Sequence, residues 1–143
     1  MITGIGVDMV QVERMKKWRD NPGLLERYFH PEELSSVFEN GSRAELSLAA
    51  RFAAKEAFGK ALGTGLAGML LRDIMIKNRH NGKPEMMVSN SALAALDQNG
   101  ANRIHVSLTH ERDYAIAMVV LEYLPSGGTG DPVKGGLHEI CRT

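Results

Sequence analysis

The chain has 143 residues, 17 basic and 17 acidic side chains, a formal net charge of zero and one cysteine, Cys141. That length suits one domain with a sizeable core, the neutral balance carries no global attraction to nucleic acid or membrane, and a lone cysteine excludes an internal disulfide. No apolar run approaches the roughly 18 residues of a membrane helix. The N-terminal MITGIGVDMV also lacks a basic leader with a long apolar core, so a cytoplasmic protein is expected. A domain this small does not easily build a deep two-walled cleft alone, which makes oligomerisation an expectation.

In Met1–Val10, Ile5, Val7 and Met9 alternate with Gly4, Gly6 and Asp8, a strand pattern with glycines where a neighbour can approach closely. Asp8 shares the glycine side. A carboxylate there is costly to bury unpaired, so it either caps the following helix or binds something. Gln11–Asp20 reads as a short helix with Val12, Met15 and Trp18 as its apolar stripe; Arg14, Lys16, Lys17 and Arg19 make the rest locally basic. That face is either a solvated surface or a dock for an acidic partner. After Asn21-Pro22-Gly23, Leu24–Phe29 forms another short helical piece, and His30-Pro31-Glu32-Glu33 starts a third helix through Phe38, which Asn40-Gly41-Ser42 ends.

Leu46–Gly65, LSLAARFAAKEAFGKALGTG, reads as one long amphipathic helix entering a glycine-flanked turn. At about 100° per residue, Leu46, Ala50, Ala53, Ala54, Ala57 and Ala61 share one arc, with Glu56 and Lys60 on its edge and Arg51 and Lys55 pointing elsewhere. By spacing alone Glu56 and Lys60 fit an ordinary surface pair as readily as a site on the rim of a cleft. Leu66–Leu71 connects to a strand within Asp73–Arg79. Asn81-Gly82 then predicts a two-residue hairpin turn, with Pro84–Val88 as the returning strand, its first-position proline marking either a strand start or an edge. Ser89 and Asn90 offer caps for a helix over Ala92–Gln98. Ile104–His110 alternates, with His105, Ser107 and Thr109 on one side. Tyr114–Glu122 is apolar enough to predict a central strand buried on both faces, which puts His110 at the mouth of a hairpin. From Pro125 the glycine- and proline-rich chain reads as a flexible tail over 125–143, following a domain over 1–124. His138 and Cys141 within it make a weak metal pair.

The unusual polar residues are Asp8, Glu56, Lys60, Ser107 and His110, beside Gly63 and Gly65. Two carboxylates from separate elements suit an oxygen-loving cation shared with substrate phosphates, and a lysine with nearby glycine backbone adds phosphate contacts. There is no P-loop, Gly4-Ile5-Gly6 lacks the third glycine of a dinucleotide fingerprint, and Ser107 with His110 makes no convincing triad. Metal-assisted attack at phosphorus by an outside nucleophile is the coherent chemistry.

Three blocks, GIGVDMVQVER at 4–14, RFAAKEAFGKALGTG at 51–65 and VSLTHERDYAIAMVVLE at 106–122, together resemble the holo-(acyl-carrier-protein) synthases, the short 4'-phosphopantetheinyl transferases. The resemblance implies an α+β fold with an antiparallel sheet packed against a long central helix, assembled as a trimer with active sites between subunits. It allows Asp8 and Glu56 of one site to come from different chains. It also implies transfer of 4'-phosphopantetheine from coenzyme A to a serine of apo acyl carrier protein. By the same likeness Asp8 and Glu56 hold Mg²⁺, with Mn²⁺ as a substitute, and Glu56 helps deprotonate the serine. Lys60 contacts the pyrophosphate and can protonate the leaving phosphate. Arg51, Pro84, Ser107 and His110 fall on positions lining the nucleotide end of coenzyme A, with Gly63 and Gly65 also near coenzyme A, and Arg14 and Lys17 fall on the carrier dock. Thr109 stands where the family often has a second serine, and the tail has no counterpart. The alternative is a non-catalytic coenzyme A or carrier-protein binding regulator of the same fold.

Overall fold

The computed structural model describes residues 1–39, 41–126 and 140–141. In chain order the elements are β1 (Ile2–Gln11), α1 (Val12–Arg19), α2 (Pro22–Tyr28), α3 (Pro31–Glu39), α4 (Ala44–Leu62), β2 (Ile74–Asn78), β3 (Pro84–Val88), α5 (Asn90–Asn99), β4 (Arg103–His110), β5 (Tyr114–Glu122) and β6 (Ile140–Cys141). Two antiparallel sheets result, ordered β1-β5-β4 and β2-β3-β6.

Helix α4 lies on the first sheet, and two glycines let it do so. A Cβ placed on Gly4 would sit 1.9 Å from the Ala61 carbonyl oxygen, and one on Gly6 would sit 1.9 Å from that of Ala57. Only glycine permits a strand backbone to approach a helix backbone this closely. Gly6→Ala is therefore expected to push β1 off α4 and lower stability by about 2–3 kcal/mol or more, read as a fall in the urea midpoint. An unchanged midpoint would show that the layer yields easily.

The helix is more central than its periodicity suggests. Fourteen of its 19 residues are buried, including Arg51 and Lys55, so it is enclosed on nearly all sides instead of amphipathic. Gly63, at φ 78°, ends it in the left-handed region.

Strand β5 is central in its sheet, but its burial alternates: Ala115, Ala117, Val119 and Leu121 face α4, while Tyr114, Ile116 and Met118 are exposed. The expectation of two buried faces thus fails within one chain. Ile5, Val7 and Met9 of β1, in register with Val120, Met118 and Ile116, extend the same outer face and are 64%, 56% and 59% exposed.

The hairpin between β2 and β3 also differs from its reading. The Arg79 N–H donates to the Lys83 carbonyl at 2.9 Å and the Gly82 N–H to the Arg79 carbonyl at 2.8 Å, which leaves His80-Asn81-Gly82 as a three-residue loop with Gly82 at φ 79°. At α5, Ser89 is the N-cap residue, but its side chain makes no cap bond. The Asp73 carboxylate accepts from the Ser91 N–H at 3.2 Å and the Ser91 hydroxyl at 2.5 Å instead. Of the tail, Ile140–Cys141 pairs with Val88 and Met87 as β6; His138 lies outside the described residues. No helix among the described residues is long and apolar enough to cross a membrane.

Candidate active site

Asp8 faces α4 from β1, and its carboxylate does not cap α1: the N-cap there is Gln11, without a side-chain bond. Instead Asp8 Oδ1 accepts from Lys60 Nζ at 2.7 Å, and Lys60 also donates to the Val7 carbonyl at 3.1 Å. Asp8 and Lys60 therefore meet within one chain. Asp8 has 16% of its side chain exposed and Lys60 54%, so the pair sits at a surface opening. The hydrogen bond to Asp8 holds the Lys60 ammonium above its ordinary value.

Glu56 joins this pair. Its carboxyl is held above its ordinary value, first by burial and second by the nearby Asp8 carboxylate, while the charges of Lys60 and Arg14 oppose the shift. Two carboxylates close enough to repel, with no third His, Cys, Asp or Glu grouped with them among the described residues, suit a hard cation such as Mg²⁺. That ion keeps waters and takes one or two carboxylates plus substrate phosphates.

A second feature lies on the far side of α4. Lys60 lies nine positions after Arg51, which at about 100° and 1.5 Å per residue places them on opposite faces and roughly 13 Å apart along the axis. Arg51 lines a cleft of about 560 Å³ shared with Arg43, Ser47, Asn78, Pro84 and His110. Arg51 is 5% exposed, and its Nη1 donates to the Ser47 hydroxyl and, at 3.5 Å, to the Ser47 carbonyl. Its Nε is buried without a partner among the described residues. Burial draws its pKa below the ordinary value, with Glu33 opposing. A buried cationic donor facing a polar cleft, beside Arg43 and a histidine, is prepared for an anion.

Helix α1 supplies a third feature. Ion pairs take up Lys16, with Glu13 at 2.9 Å, and Arg19, with Glu45 at 2.6 Å. Arg14 and Lys17, one turn apart, have no such partner among the described residues. The Arg14 guanidinium lies 5.8 Å from the centroid of the Trp18 ring and 5.6 Å from that of Phe52, and its charge reaches Glu56.

The structure thus gathers Asp8, Glu56 and Lys60 into one cluster and Arg51, Pro84 and His110 into one cleft. Ser107 belongs to neither, because it projects from the outer face of the sheet opposite Met118. Gly63 and Gly65 lie just beyond Lys60, but their N–H groups donate to the Lys60 and Gly59 carbonyls at 3.0 Å each. What they present is open backbone surface, with nothing among the described residues within 4 Å of a would-be Cβ. Sequence reasoning missed Arg43 and Ser47 in the cleft; two arginines flanking a serine one helical turn from Arg51 were the available signal.

A carboxylate pair with a lysine suits metal-assisted phosphoryl chemistry, and the cleft on the other side of the same helix suits an anion: together they fit an enzyme of phosphoryl transfer. The profile of the 4'-phosphopantetheinyl transferase superfamily matches residues 4–119, and the chain belongs to that family. It is 52% identical over 122 residues to the holo-(acyl-carrier-protein) synthase of Treponema denticola, a match covering 85% of this chain and 99% of the relative. Among solved structures, the corresponding synthase of Neisseria meningitidis superposes with TM-score 0.77 at 36% identity, covering 86% of this chain and all of the other. That of Bacillus anthracis, in complex with coenzyme A (3',5'-ADP), superposes with TM-score 0.71 at 35% identity, covering 85% and 96%.

Proposed function

We infer that the chain transfers 4'-phosphopantetheine from coenzyme A to a serine of apo acyl carrier protein, releasing adenosine 3',5'-bisphosphate. The observation that carries this reading is the convergence of Asp8, Glu56 and Lys60 from β1 and α4 within a chain of this family. In the transfer, the serine oxygen forms a bond to the phosphorus bearing the pantetheine arm. The bond from that phosphorus to the oxygen of the adenosine-side phosphate breaks. Glu56 takes the serine proton, directly or through water, and its raised pKa makes it a better base than a free carboxylate. Lys60 turns its ammonium to the pyrophosphate and supplies charge and a proton to the leaving phosphate. Asp8 and Glu56 would hold Mg²⁺, or Mn²⁺ in its place. When bound, the cation supplies positive charge against the pyrophosphate oxygens.

The nucleotide end of coenzyme A belongs in the Arg51 cleft, with the orphaned Nε supporting an anionic group there. The placement of that cleft across α4 from Asp8, and the exposed apolar sheet face, support a trimer. In it the carboxylate cluster of one subunit meets the Arg51–His110 cleft of its neighbour, and Ser107 lies toward the interface. An apolar face as continuous as Ile5, Val7, Met9, Ile116 and Met118 is a mark of a buried interface. Arg14 and Lys17 form the dock for the acidic carrier, steering it toward Glu56. The transferase domain is assigned to 1–124 and the protein to the cytoplasm, where both substrates are made available.

Incubation with coenzyme A, Mg²⁺ and apo acyl carrier protein should add one phosphopantetheine mass to the carrier by mass spectrometry. No gain, with an established transferase active in parallel, would favour the non-catalytic binding regulator. The intact cluster of Asp8, Glu56 and Lys60 argues against that alternative.

A further inference from the structure

The chemistry above leaves the buried ion pair between Lys55 and Glu33 without a role. Both side chains are wholly buried, with Lys55 Nζ 2.7 Å from Glu33 Oε2. The ammonium also donates to the Leu71 carbonyl at 2.9 Å and to the Ile74 carbonyl, so its three protons all have acceptors. Glu33 is equally satisfied: Oε1 accepts from the Ile76 N–H at 3.0 Å and Oε2 from the His30 N–H at 2.9 Å. The Phe29 ring centroid lies 5.3 Å from Nζ. One charge pair thereby joins α3, α4 and the start of β2.

The attraction between the two charges adds little net stability, because the desolvation of both ions offsets it; the hydrogen bonds to Leu71, Ile74, Ile76 and His30 are what apolar replacements would forfeit. What the pair provides is fixed geometry. The elements it joins carry the two walls of the Arg51 cleft. Ala50 and Arg51 lie about one turn before Lys55 on α4, while Asn78, Gly82 and Pro84 lie on the hairpin whose first strand contributes Ile74 and Ile76.

We propose that Lys55 and Glu33 are positioning residues that set the gap between the α4 wall and the β2–β3 wall of the cleft, and through it the affinity for the nucleotide end of coenzyme A, without touching the ligand. This rests on the cleft being the nucleotide site. The phosphate oxygens need donors held at fixed spacing, and small displacements of one wall misplace Arg51 and His110 relative to Pro84 and Asn78.

The test titrates the whole protein calorimetrically with adenosine 3',5'-bisphosphate, carrier absent, and measures KM for coenzyme A and kcat separately. Four proteins are compared: wild type, Glu33→Gln, the double variant Glu33→Leu/Lys55→Met, and Arg51→Ala. The double variant is expected to melt cooperatively at a lower temperature and to bind the nucleotide about 10-fold or more weakly, with KM raised in step and kcat within about 3-fold. Wild-type affinity in a folded double variant, with Arg51→Ala weakened, would reject the positioning role alone. A fall in kcat with KM unchanged would reject it as well. Undiminished binding by Arg51→Ala would reject the cleft as the nucleotide site. Should the double variant fail to fold, Glu33→Gln, which keeps the shape and an acceptor for Ile76, carries the same comparison.

Discussion

Glu56→Gln is expected to lower kcat by about 10²–10³-fold while leaving the protein folded and, in EDTA, more thermally stable than wild type at neutral pH. The first half follows from the roles proposed for Glu56, as the proton acceptor and as one of two carboxylates toward the pyrophosphate. The second follows from the charge on Glu56. Burial and Asp8 raise its carboxyl pKa above the ordinary 4.5 in the folded chain, so the native state holds that proton more tightly than the unfolded state does. The stability this contributes is fully present below the unfolded value, and it is lost as pH rises through the folded value. Glutamine cannot ionise and escapes that loss. Melting curves in EDTA should therefore nearly coincide at about pH 4 and separate as the pH is raised to 7, with the variant higher. Millimolar Mg²⁺ should then raise the wild-type Tm more than the variant's, because only the wild type offers both carboxylates. Undiminished kcat would remove Glu56 from the chemistry. A variant Tm below wild type throughout would mean that the carboxylate stabilises the fold through contacts other than those assigned here.

Much of this arrangement was legible in the residues, and the exceptions have physical reasons. Alternation in β1 correctly put Gly4, Gly6 and Asp8 on one side, because a period of two admits one assignment of faces. That this side would meet Ala57 and Ala61 was not visible, since the pairing spans more than 50 residues of chain. The approach of Asp8 to Lys60 is a product of that same packing. Spacing alone therefore left Glu56 and Lys60 as fit for a surface pair as for a site. Apolar composition suggested that β5 was buried on both faces, and one chain covers only one of them. Lys55 and Glu33 went unread for the opposite reason: charged residues on helices are usually solvated, and only their meeting, with the carbonyls of Leu71 and Ile74 converging on the same point, makes a buried ammonium tolerable. The hairpin turn was misread by one residue because Asn-Gly fits a two-residue turn and also supplies the left-handed glycine of a three-residue loop.

Co-expressing Glu56→Gln and Arg51→Ala chains is expected to restore activity that neither variant has alone. In a cyclic trimer each interface is heterologous, so every site takes one surface from each of two neighbours. If the carboxylate cluster comes from one subunit and the Arg51 cleft from the next, a site is intact whenever an Arg51→Ala chain presents its wild-type Glu56 to the cleft of a Glu56→Gln chain. For random mixing at equal amounts this occurs in about a quarter of sites. Were Glu56 and Arg51 to serve the same site from a single chain, every site would carry one defect, and the mixture would give only the average of the two inactive proteins. Opposed faces of α4 favour the shared arrangement, because one ligand spanning both within a chain would have to pass around a helix that is buried on nearly all sides. Introducing Met118→Lys into both chains adds the control. A charge at the centre of the exposed apolar face should disperse the assembly to monomers by sedimentation and abolish the rescue together. Rescue that persists in monomers would assign the whole site to one chain and leave the apolar face to another partner.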